Sequence, residues 1–151
     1  MSIRLNFILA ALAVTASSCL LKHERPAIEQ INPNIGPERF HVIATVAGES
    51  RRTSKQISAT VRLRMLDSGL NAVTKRGNWV TEVEALRGLC ESKSGAPVDG
   101  VLFVWYDRLK LWDCETQGSA YEIGGQGATM GITAMTDKLI GYLRRRPSVP
   151  S

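Results

Sequence analysis

Histidine is nearly absent from this chain: His23 and His41 are the only two in 151 residues, beside three cysteines. No spacing among those side chains fits a zinc site, so neither a metal nor any other cofactor is expected. Nucleophilic hydrolysis needs a base beside the nucleophile and a third group to orient it. No G-x-S-x-G occurs and His23 lies close to the amino terminus, so a small hydrolase is the weakest reading and no catalytic residue is expected. Carboxylates pair only as Glu82 with Glu84, which fits helix capping, and as Asp113 with Glu115, which flanks a strand end. Neither pair suggests the long groove that glycoside cleavage uses. No internal repeat or low-complexity tract appears, and no apolar run is long enough to span a hydrocarbon core.

What is present begins at the amino terminus. Arg4, an apolar run from Leu5 to Val14, and Thr15-Ala16-Ser17-Ser18 before Cys19 have the layout of an export signal. Ala16-Ser17-Ser18-Cys19 resembles the lipobox of bacterial lipoproteins, although Ala16 stands where such boxes usually carry Leu. The resemblance implies a signal peptide over residues 1–18 and lipidation, palmitate included, of Cys19. The rivals are ordinary signal cleavage leaving a soluble exported protein, and an uncleaved buried helix, which the immediately following Arg25-Pro26 disfavours. Leu20 is not Asp, and by resemblance to enterobacterial sorting the protein is expected in the outer membrane's inner leaflet, facing the periplasm. Acyl chains contribute about 0.8 kcal/mol per buried methylene, enough for lasting attachment when several are present.

Eighteen residues removed from 151 leave 133, the size of one domain. Without Arg4, eighteen Lys and Arg face fourteen Asp and Glu. The basic excess lies in Arg144-Arg145-Arg146, in Arg51, Arg52 and Lys55, and in Lys75 and Arg76. Export argues against nucleic acid as a partner. Solvated helix ends account for these groups most simply, with anionic lipid head groups or an acidic partner as the targets if they act. With Cys19 lipidated, Cys90 and Cys114 make a natural pair in a compartment where disulfides persist, against the alternative of two buried thiols.

Residues 19–39, with Pro26, Pro33, Gly36 and Pro37, read as a tether. A single α/β domain, with α+β as the alternative, is expected over 40–146, followed by a disordered tail at 147–151. It comprises a mixed sheet of about four to five strands with an antiparallel meander, packed by about three helices. Phe40–Ala47 reads as the first strand. A capping box at Thr53 and Gln56 opens a long helix with Ala59, Leu63, Leu66, Leu70 and Val73 as its inward stripe and Gly77 as its cap. Asn78–Val80 is a strand or connector, and a second capping box at Thr81 and Glu84 opens a helix that turns Cys90 inward. VLFVWY over Val101–Tyr106 is the central strand, covered on both faces. Leu109–Glu115 and Ala120–Ile123 complete the meander, and a last helix places Ile132, Met135, Leu139 and Leu143 on one side.

Gly124–Gly131 joins strand to helix, but lacks the P-loop ending and the dinucleotide spacing, and reads as a connector rather than a ligand loop. Trp105, Tyr106 and Trp112 form an expected cross-strand aromatic cluster. Tyr106 and Trp112, left partly exposed, and Arg144, Arg145 and Arg146 are the candidate interface residues.

Leu66-Asp67-Ser68-Gly69-Leu70, Val98-Asp99-Gly100-Val101-Leu102, Leu111-Trp112-Asp113 and Thr136-Asp137-Lys138-Leu139-Ile140 resemble segments of the TolB amino-terminal domain and of the CsgG and LpoB type of α/β fold. The chain also resembles small lipoproteins of the bacterial envelope. These resemblances imply a non-enzymatic envelope lipoprotein whose domain binds a partner protein or assembles with itself. The alternative is a soluble exported protein binding a small or anionic ligand at the glycine segment and neighbouring basic residues.

Overall fold

The computed structural model of the chain describes residues 26–77, 83–91, 96–125 and 129–145. Its strands are β1 (Ile28–Ile31), β2 (Ile43–Ala47), β3 (Ala72–Thr74), β4 (Gly100–Val104), β5 (Arg108–Asp113) and β6 (Gly118–Gly124). Its helices are α1 (Arg52–Asp67), α2 (Val83–Cys90) and α3 (Ile132–Leu143), with a 3-10 turn at Pro37–Arg39. The strands form one sheet in the order β1-β6-β5-β4-β2-β3. β2 runs parallel to both β4 and β3, whereas β4, β5 and β6 form an antiparallel meander and β1 closes antiparallel on β6.

The fold is thus mixed α/β, with six strands rather than four or five. The two additional strands are the short edges, β1 and β3, neither of which alternates in hydrophobicity. β1 corrects the tether boundary: Ile28–Ile31 pairs with β6, and Ile35 is buried in the core, so residues 28–39 belong to the domain. The buried Tyr142 hydroxyl donates to the Ile35 carbonyl at 2.9 Å and fastens this segment to α3.

β2 and β4 are buried along their whole lengths. Val101, Phe103, Ala44 and Val46 face α2 with Leu86, while Leu102, Val104 and Ile43 face α1 and α3 with Val61, Met65, Met135 and Leu139. Burial on both faces explains the unbroken apolar run of β4. The first strand begins at Ile43 rather than Phe40, because the Asp99 carboxylate accepts the N–H groups of His41 at 3.0 Å and Val42 at 2.7 Å. Phe40 packs instead into the cluster on the α1 side.

α1 differs from its sequence reading in phase and at both ends. Arg51 is its amino-terminal flank, with no side-chain cap, so Thr53 and Gln56 form no capping box there. The buried positions are Ser54, Ser58, Val61 and Met65, whereas Leu63 is 53 % and Leu66 39 % exposed. Both stripes satisfy the helical period, and packing onto the sheet selects the one with smaller side chains at its start. The helix ends at Asp67 in a Schellman turn. Gly69 at φ 79° donates to Leu66 O at 2.9 Å, and Leu70 donates to Met65 O at 3.0 Å. Gly77 is therefore not its cap, and Val73 belongs to β3. The Thr81–Glu84 capping box and the Asn78–Val80 connector lie outside the described residues or side chains, as do residues 1–18, Cys19 and residues 147–151.

The three aromatics do not form a single cluster. Trp105 lies 6.2 Å from Phe103 and beneath the Arg108 guanidinium at 4.2 Å, Trp112 is in register with Val101, and Tyr106 sits at the β4–β5 turn with 62 % exposure.

The phase of α1 is open to direct test. Met65→Ala is expected to lower the unfolding free energy by about 2–5 kcal/mol, and Leu63→Ala to change it by less than about 0.5 kcal/mol, in urea titrations. The opposite ranking would contradict the burial described here.

Candidate functional site

The parallel strands create a carboxyl edge, and the two crossovers leave it on opposite faces. β2 is followed by α1 on one face of the sheet, and β3 by α2 on the other. Open α/β sheets bind ligands at such a divergence, beyond the strand ends. Here the crevice has a definite cause. β3 pairs with β2 only from Ile43 to Thr45, whereas β4 accompanies β2 through Ala47. β2 therefore outruns β3 by two residues, and the step between them is open.

A cavity of about 440 Å³ fills that step, lined by residues following both strands and by one side of α1. Among the described residues its charged lining is Lys55, Lys75 and Arg76, and its hydroxyls come from Thr45, Ser50, Ser58 and Thr74, with no carboxylate. Its size falls within the range of small-ligand sites, roughly 300–1,000 Å³. Two basic groups separated by about twenty residues of sequence thus converge on one space. Cations facing a common cavity repel one another, and an anion among them relieves that repulsion.

Several polar groups are directed at this space. Ser58 is only 6 % exposed, yet its hydroxyl makes no side-chain hydrogen bond to a described residue. Thr60 and Thr136, by contrast, satisfy theirs on the carbonyl four residues back. The main chain of β2 contributes as well. Gly48 N–H donates to Val104 O on the β4 side and Thr45 O accepts from Lys75 N–H on the other, so alternation points the Ala47 N–H and C=O into the step. No described residue bonds them. α1 also begins here with no side-chain cap and no acidic residue in its first turn, leaving the positive end of its dipole unneutralised.

Gly48 keeps the turn at this edge close. A Cβ there would meet the Trp105 ring at 2.2 Å, so only glycine lets the chain leave β2 against that side chain.

Lys75 connects the cavity to the opposite face. Its Nζ donates to Leu89 O at 2.6 Å and Glu91 O at 3.0 Å, the carbonyls that end α2, and burial lowers its pKa below the ordinary lysine range. The same end of α2 is clipped to the strand end of β5 by the Cys90–Cys114 disulfide, with Cα atoms 5.7 Å apart. That bond lies in a second, more open cleft of about 550 Å³ at the amino edge, with Arg39, Asp99, Asp113 and Glu115 in its wall. Asp113 there accepts from Thr116 N–H at 2.8 Å and from the Thr116 hydroxyl, and Glu115 pairs with Arg39, so both carboxylates are engaged in holding the turn.

The other sequence candidates scatter. Tyr106 projects at the carboxyl edge, Trp112 packs half-buried near α2, and Arg144 and Arg145 follow α3 at the amino edge, where Arg144 donates to Ser68 O. They share no surface, and Arg146 lies outside the described residues. In the glycine segment, Gly124 and Gly125 adopt φ of 120° and 143°, while residues 126–128 lie outside the described residues. The described residues of that segment are not among the cavity lining. Among the described residues no three His, Cys, Asp or Glu side chains gather as metal ligands, and no helix is long and apolar enough to cross a membrane. The signal that identified the site was present in the sequence as the groups at 51–55 and 75–76, but their convergence requires the crossover. No protein-family model matches the chain, and no curated protein matches it in sequence.

Proposed function

We propose that this protein is a non-enzymatic lipoprotein of the bacterial envelope whose single α/β domain faces the periplasm and binds an anionic ligand at the carboxyl edge of its sheet. The observation that carries the binding role is the meeting of Lys55, Lys75 and Arg76 around a cavity whose described lining has four hydroxyls and no carboxylate. The envelope address rests on the Ala16-Ser17-Ser18-Cys19 box and the apolar run before it. A role without chemistry is the reading the described lining supports: among the described residues it holds no histidine or carboxylate to serve as general base, and Lys75, whose lowered pKa would suit one, is engaged by two main-chain carbonyls. Lysine ammonium groups beside an open helix amino terminus favour compact oxyanions such as phosphate esters. On this reading the ligand-binding role belongs to a different segment from the glycine-rich connector.

Two measurements test this reading. Radiolabelled palmitate fed to producing cells is expected to mark the protein, and the mark to vanish in Cys19→Ala; unlabelled protein recovered without its leader would remove the anchor. Calorimetry on the mature chain with sn-glycerol 3-phosphate is expected to show saturable binding, absent with glycerol and weakened about tenfold or more by Lys55→Ala, the scale of one charge-assisted hydrogen bond. Binding indifferent to Lys55 and Ser58 would remove the site.

A further inference from the structure

The strand directions place the amino-terminal tether and the basic cavity at one edge of the sheet. Ile28 is in register with Gly124, the last residue of β6, and β6 runs in the same sense as β2 and β4. The chain therefore enters the domain at the carboxyl edge, where β2 ends and α1 starts. Six residues lie between Cys19 and Pro26, a reach of at most about 25 Å over the seven Cα–Cα steps when fully extended. On the lipoprotein reading, this edge cannot stand far from the bilayer.

Its surface suits that neighbour. Arg51, Arg52, Lys55 and Arg76 are exposed along it, and Tyr106 projects from the β4–β5 turn with 62 % exposure. Among the described residues the acidic groups at this edge are Glu49, which lies 3.3 Å from Arg51, and Asp107, with Glu29 one residue further in and paired with Lys138. Acidic side chains collect instead at the far edge, where Asp67, Asp99, Asp113 and Glu115 lie, together with Arg39, Arg144 and Arg145. The charge of the described residues is thus polarised along the strand direction. Tyrosine is at home at headgroup depth, and basic residues are drawn to anionic leaflets.

We propose that the carboxyl edge docks on an anionic phospholipid surface, with Arg51 and Arg52 against the headgroups, Tyr106 entering the interface and one lipid phosphate seated between Lys55, Ser58 and Arg76. This rests on the anion site described above and names its ligand as a phospholipid headgroup still attached to the membrane. The cavity lies in the step beside β2, on the edge nearest the tether, so a headgroup reaches it without leaving the leaflet.

Vesicle sedimentation tests the docking without the acyl chains, using the chain from Leu20 onward, which contains every described element of the fold. Vesicles of phosphatidylglycerol in phosphatidylcholine are expected to retain the protein, pure phosphatidylcholine not, and added salt to release it. Arg51→Ala and Arg52→Ala are each expected to weaken retention about fivefold, and Tyr106→Ala to weaken what persists at high salt. Arg144→Ala with Arg145→Ala, at the far edge, is expected to leave retention unchanged. Equal retention by neutral vesicles, or equal loss from the far-edge pair, overturns the proposal. Binding of sn-glycerol 3-phosphate without retention on anionic vesicles overturns the docking and leaves the anion site standing; loss of both removes both.

Discussion

The parallel alignment of β2 with β4 on one side and β3 on the other is the constraint from which the rest of the molecule follows. Parallel neighbours require crossovers, and here α1 and α2 cross on opposite faces, so the two connections part at the carboxyl ends of β2 and β3. Because β2 is two residues longer at that end than β3, the parting leaves a space with main-chain groups turned into it. A sheet built only of hairpins would have closed the same edge with turns.

The electrostatics of that space are uncompensated within the described residues, whereas several charges elsewhere are paired. Lys110 and Arg108 meet Glu122 on one face of β5 and β6, Arg64 grips Asp137 between α1 and α3 with two nitrogens of its guanidinium, and Arg39 meets Glu115. Beside these pairs, three cations around a cavity whose described lining has no carboxylate mark a position suited to charge from outside. Lys75 shows the two roles in one residue: it lines the cavity while tying β3 to the end of α2, which the disulfide holds from the other side.

Much of the framework was legible from the residues. The run of β4 declared a strand buried on both faces, the alternation of β5 declared one buried on a single face, and Met135 and Leu139 marked the inner side of α3. The phase of α1 was not legible, because Ala59, Leu63 and Leu66 are as periodic as Ser58, Val61 and Met65, and hydrophobicity favours the wrong set. Only packing on the sheet beneath it, which buries Val61 and Met65 and leaves Leu63 and Leu66 exposed, decides between them. The edges were hidden for a related reason: Ile28 and Ile31 form a strand by main-chain pairing with β6, with no alternating pattern to announce it. The site lay in plain view as two basic groups, yet nothing local to either indicates that a crossover brings them together.

The central claim is that the step beside β2 is where ligand charge is received. Amide hydrogen exchange resolved by residue, with and without sn-glycerol 3-phosphate, addresses it most directly. The account predicts slowed exchange at Ala47 and at the first-turn amides Arg52, Thr53 and Ser54, with little change at Lys110 or Glu122. Protection confined to Gly125 and Thr129–Gly131, with Ala47 unaffected, would contradict it.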